Sequence, residues 1–167
     1  DLSMGDVSLS FDTSKATGGT DRSASISYTG IDGLQVVAGV GETETAQTTG
    51  QDDTSTYGLK YTMGAITVGY QHSEIDDGAA GSTTADTETD AFAVAFAINE
   101  NLTISYGYQE TEVGTGNTDQ EMTGYAIGYS AGGMSIKAQH NEGEDAVTTG
   151  STSVEMERTE ILVGFAF

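Results

Sequence analysis

The side chains able to do chemistry in this 167-residue chain are two histidines and 26 carboxylates, set against five basic residues. His72 is followed by Asp76 and Asp77. Nucleophilic catalysis or a metal pair would need His72 or His140 to converge with Asp or Ser. Hard divalent cations take clustered oxygen ligands, and Asp76, Asp77, Asp86, Glu88 and Asp90 are the best candidate set for Ca²⁺. Neither an EF-hand spacing nor a nonapeptide repeat supports that set, and a solvated acidic rim is the competing reading. No other cofactor is expected. The chain has no Cys, which excludes disulfides and thiolate metal sites. Its formal net charge of -21 opposes binding to nucleic acid phosphates.

The elements that must position these groups are strands. In Asp90–Ile98, Phe92, Val94, Phe96 and Ile98 share one face and alanines the other. In Leu102–Gln109, Leu102, Ile104, Tyr106 and Tyr108 alternate with Thr103, Ser105, Gly107 and Gln109. Such alternation means β-strand, because successive side chains point to opposite faces. Ten stretches read this way, at roughly 4–12, 22–29, 34–42, 55–63, 65–75, 89–98, 102–111, 121–130, 134–142 and 155–167. No helical period competes. Short Gly- and Asn-bearing turns alternate with long connections at about 13–21, 43–54, 76–88, 112–120 and 143–154. An antiparallel meander then gathers all long connections, and most of the acids, at one end.

The two faces differ in a way that decides the class. One carries Val7, Leu9, Phe11, Leu59, Ile66, Val68, Ile127, Ile161 and Val163; the other is dominated by Gly, Ala, Ser and Thr. A soluble sandwich usually studs its second face with Lys, Glu and Arg. Small residues there suit the inside of a membrane barrel, whose bulky face meets lipid and whose interior holds water. Strands of this length match a tilted transmembrane strand, and the absence of Pro protects the ladder. Tyr28, Tyr57, Tyr61, Tyr70, Tyr108 and Tyr129 take the outer phase near strand ends, as interfacial girdles do. His72 and His140 take that phase too, beyond the apolar part of their strands. Lys60, Lys137, Arg158, Glu160, Gln71 and Gln139 take the inner phase and are the candidate pore-lining residues. Their charges either set a transverse field with ion preference or neutralise one another.

The last stretch, Glu155–Phe167, ends on an aromatic with apolar residues at alternate positions before it. It resembles the C-terminal signature of Gram-negative outer-membrane barrels. Tyr57–Tyr61, Thr67–Tyr70 and Tyr125–Tyr129 resemble strands of α-proteobacterial general-diffusion porins. That resemblance implies a sixteen-stranded, trimeric barrel with a long third loop folded into its pore. This chain is shorter than such a porin and has no loop long enough for that role. It is expected to be either the C-terminal ten strands of a longer porin or a complete ten-stranded barrel. Some ten-stranded outer-membrane barrels are proteases with acid and histidine groups at the rim, an arrangement that His72 with Asp76 and Asp77 could supply.

The expected fold is therefore all-β, a single domain over 1–167 forming a transmembrane antiparallel up-and-down β-barrel. The expected function is that of a porin: passive diffusion of small hydrophilic solutes and ions, biased toward cations by the acidic rim, with no enzymatic step. Its expected surroundings are the lipid and lipopolysaccharide of a Gram-negative outer membrane, with two further copies completing a homotrimer. Two other classes stay open: a surface-displayed adhesin or structural barrel acting through its long acidic loops, and a secreted soluble β-sheet protein burying its bulky face.

Overall fold

Strand propensity and alternation carry through into one continuous sheet. The computed structural model describes residues 2–16, 19–44, 51–77, 86–114, 119–149 and 152–165. Eleven strands follow in chain order: β1 (Leu2–Met4), β2 (Val7–Ala16), β3 (Gly19–Ile31), β4 (Leu34–Glu44), β5 (Gln51–Met63), β6 (Ile66–Asp77), β7 (Thr87–Ala97), β8 (Leu102–Val113), β9 (Gln120–Ala131), β10 (Met134–Thr149) and β11 (Thr152–Phe165). Each pairs antiparallel with its sequence neighbours, so sheet order equals chain order. No helix occurs among the described residues. Each strand touches only its ladder neighbours.

Three expectations change. The strand count is eleven, because the stretch expected at 4–12 divides into β1 and β2 around a turn at Gly5, whose φ is +62°. The long connections shrink, because strands continue past the apolar residues. β10 reaches Thr149 and β11 begins at Thr152, where a loop over 143–154 was expected. Ladder hydrogen bonds join backbone groups, so they persist where Thr, Ser, Asp and Glu have replaced Val and Phe. Finally, the ring is open among the described residues: β1 and β11 are the two edges and do not pair. Phe167 lies outside the described residues.

The expected short turns are present. Gly33 (φ +75°) and Gly64 (φ +60°) occupy the left-handed region that L side chains avoid. At Gly33 a Cβ would stand 2.2 Å from the Thr62 carbonyl oxygen, so close approach as well as φ demands glycine there. In the turn between β7 and β8, the Asn99 side-chain oxygen accepts from the backbone N–H groups of Asn101 (2.9 Å) and Leu102 (3.0 Å).

The register contains a systematic stagger. One ladder row runs Leu34, Tyr61, Val68, Val94, Tyr106, Tyr125 across β4 to β9. Leu34 sits at the short-turn end of β4, opposite Ile31. Tyr125 stands six residues from Ala131, the residue at the short-turn end of β9 that pairs with Met134. Six residues of rise is about 20 Å, against about 24 Å across five strand spacings. Relative to the level of the short turns, the strands therefore tilt by roughly 40°.

No apolar side chain is buried among the described residues. Phe11 and Ile161 are 69% exposed and Phe165 is 63% exposed. The sheet has a bulky apolar face and no second layer over it.

Candidate functional site

The ladder assigns every strand residue to one of two faces. The small-residue face carries Ser8, Ser10, Ser25, Ser27, Gly39, Gly58, Gly69, Ala91, Ala93, Gly107, Gly124 and Gly128, cross-strand neighbours from β2 to β9. All six candidate wall residues lie on this face. Lys60 and Gln71 form one group on β5 and β6, where Gln71 faces Gly58 and Lys60 faces Gly69. Lys137, Gln139, Arg158 and Glu160 form the other on β10 and β11.

The second group is wired. Arg158 Nη2 lies 2.8 Å from Glu160 Oε1, and Gln139 Nε2 donates to Glu160 Oε2 at 2.7 Å. Glu160 is thereby neutralised by Arg158, whose side chain remains 72% exposed. Lys60 and Lys137 make no ion pair among the described residues. Among the described residues the small-residue face therefore offers two unpaired ammonium groups and a bonded Arg–Glu–Gln cluster.

The opposite face carries the bulky band. All eight tyrosines lie on it. Tyr106 and Tyr125 pack with ring centroids 5.2 Å apart, and Tyr57 and Tyr70 with centroids 6.3 Å apart.

The acids are placed differently from the expected loop cluster. Most stand on strand extensions and share the phase of the apolar band. Asp90, Glu110, Glu121 and Glu144 form one cross-strand row. Glu74, Glu88 and Glu112 form another, Glu42, Asp53 and Asp76 a third, and Glu142 faces Glu157. The signal was present in residue parity: Tyr70, His72, Glu74 and Asp76 alternate without a break, as do Glu88, Asp90, Phe92 and Val94. Among the described side chains at this end, Asp12, Asp21 and Asp52 take the small-residue face.

The Ca²⁺ set does not assemble as expected. Asp76 stands opposite Asp53, in a different row from Glu88 and Asp90. The side chain of Asp77 lies outside the described residues. The group that does converge adds a histidine: His72, Glu88 and Asp90 present ligand atoms within 4.8 Å of one another. His72 Nδ1 lies 3.1 Å from Asp90 Oδ1 and 3.7 Å from Glu88 Oε1. The Tyr70 hydroxyl donates to the same Asp90 oxygen. The Asp90 carboxylate is thus held by both the Tyr70 hydroxyl and the His72 ring. Tyr57 stacks on the His72 ring, with centroids 4.9 Å apart. Among the described residues the His72 ring bonds Asp90 and the His140 ring bonds Thr159 and Glu142, so neither reaches a Ser hydroxyl.

Comparison with protein-family models and with characterised proteins finds no match to this sequence.

Proposed function

We propose that this sheet is part of the wall of a transmembrane β-barrel in a Gram-negative outer membrane. On this reading the barrel is a porin, passing small hydrophilic solutes and ions without a chemical step. The observation that carries the proposal is the uncovered apolar face. In water, exposing that many Phe, Ile, Val, Leu and Tyr side chains on one sheet would be strongly unfavourable, at roughly 25 cal/mol per Å². Lipid removes the penalty. A soluble sandwich would need a second sheet over this face, and each strand here touches only its ladder neighbours.

The stagger supports the same reading. A tilt of about 40° falls inside the range for closed transmembrane barrels. The free edges bear on closure, because unpaired backbone groups are not tolerated in hydrocarbon. β1 already occupies the short-turn end of the β2 edge. A barrel would need both edges paired, and the sixteen-stranded resemblance would pair them with strands of a larger ring. That resemblance also carries the trimer and the lipopolysaccharide-bearing membrane.

Ion preference follows from the faces. The carboxylate rows point away from the small-residue face, so their field at the pore is weakened by salt, whose Debye length is about 8 Å at physiological strength. The cation bias is therefore modest, and the unpaired wall residues Lys60 and Lys137 counter it. Planar-bilayer recording of the purified full-length protein tests the function. Stepwise conductance that scales with salt is expected. A protein that inserts but does not conduct would favour the adhesin or structural-barrel reading.

A further inference from the structure

The geometry points to a transition-metal site at His72, Glu88 and Asp90, on the outward face just beyond the apolar band. The donor set is one imidazole nitrogen and two carboxylate oxygens. A tetrahedral ion with bonds of about 2.0–2.2 Å separates its ligand atoms by roughly 3.3–3.6 Å. The two separations from His72 Nδ1, 3.1 and 3.7 Å, bracket that spacing, and all three ligand atoms lie within 4.8 Å of one another. Ca²⁺ would want six to eight oxygens at longer distance. A borderline divalent ion such as Zn²⁺ suits the set.

Two residues outside the donor set hold the donors in place. Tyr57 stacks on the His72 ring and the Tyr70 hydroxyl bonds Asp90, the role that outer-shell partners play around metal sites. His72 is only 14% exposed, so its ring is fixed, whereas Glu88 at 51% leaves an opening for an ion to enter.

The surrounding charge also calls for a cation. Glu74 and Glu112 both face Glu88, and Glu110 faces Asp90. Like charges directly opposite are destabilising. No Lys or Arg pairs with these acids among the described residues. A bound divalent ion would relieve the row while keeping open positions for water or an oxygen ligand from outside.

His140 is the internal control. Its Nε2 lies 3.0 Å from Glu142 and 3.8 Å from Glu157, but the three donors do not close into a comparable group. The test is a calorimetric Zn²⁺ titration of the purified protein in non-chelating detergent, with folding followed by far-UV circular dichroism. Saturable one-equivalent binding is expected. His72→Gln and Asp90→Asn should each weaken it at least tenfold, and His140→Gln should change it less than twofold. Tenfold excess Ca²⁺ should not displace the ion.

Absence of saturable binding, equal losses in the two histidine variants, or displacement by Ca²⁺ would overturn the site and leave only a diffuse cation atmosphere. Should a variant fail to fold, the unmodified protein still decides. With two histidines in the chain, one equivalent of Zn²⁺ should shift the ring resonances of His72 alone. Unshifted His72 signals would overturn the site. Neither measurement depends on whether the barrel conducts.

Discussion

Val94→Arg should cost about 2–4 kcal/mol of folding stability in a lipid bilayer, while Ala95→Arg one residue away should cost less than about 1 kcal/mol. Val94 stands between Val68 and Tyr106 on the apolar face. It lies inside a run of Ile98, Phe96, Val94 and Phe92, near the middle of the band. Ala95 sits on the other face, between Thr67 and Ser105, where an arginine reaches water. Depth is the discriminating variable. Arg at Tyr108, on the band's margin beside the acid rows, should cost only about 0–1 kcal/mol, because a charge near the headgroups keeps its hydration. A protein core would penalise Val94 and Tyr108 without that gradient. The readout is equilibrium unfolding from vesicles.

The second large effect is electrical. Lys137→Glu combined with Arg158→Glu alters the small-residue face by four charge units. For an ion passing about 10 Å from the wall, four charges in water amount to about 1.7 kcal/mol before screening. Screening at physiological salt reduces this to about 0.5 kcal/mol, a factor of roughly two for each ion species. Cations gain and anions lose, so the permeability ratio should move toward cations by about fivefold. Reversal potentials across a salt gradient measure it. In about 1 M salt the Debye length falls to about 3 Å and the effect should vanish. Arg158 has a second consequence, because it bonds Glu160. Reversing it places two carboxylates together and should also disturb Gln139, whose amide donates to Glu160. Selectivity unchanged in the double variant would place these residues away from the ion path.

Much of the sheet was legible because its signal is local. Parity along each strand assigns its two faces without any pairing, and along β5, β6, β10 and β11 it sets Lys60, Gln71, Lys137, Gln139, Arg158 and Glu160 on one face. Turn positions at Gly33, Gly64, Asn99 and Gly132 followed from residues that tolerate unusual φ. Strand ends were less legible. Hydrophobic alternation stops at Tyr70 or Tyr108, whereas backbone pairing continues, so Asp76 and Glu112 fall in expected loops although they lie in β6 and β8. Their parity with the tyrosines carried the missing information.

The cluster of His72, Glu88 and Asp90 was invisible for a different reason. It depends on register between β6 and β7, which the hairpin connection sets and a single strand does not reveal. His72 faces Asp90 only because Ile66 pairs with Phe96; a shift of one residue would put Ala91 there and turn that strand's side chains over. Closure of the ring likewise depends on the two edges, and no strand pattern encodes it.

The most direct measurement of the central claim uses the absence of cysteine from the chain, which makes every introduced thiol unique. Single cysteines at positions 91–96 of β7 would be placed in liposomes and probed with a membrane-impermeant thiol reagent, then with a lipid-confined quencher after labelling. Positions 91, 93 and 95 should react with the aqueous reagent and escape the quencher. Positions 92, 94 and 96 should resist the reagent and be quenched from lipid. Even positions protected from both probes would mean that protein covers the bulky face, and the membrane-wall reading would fail.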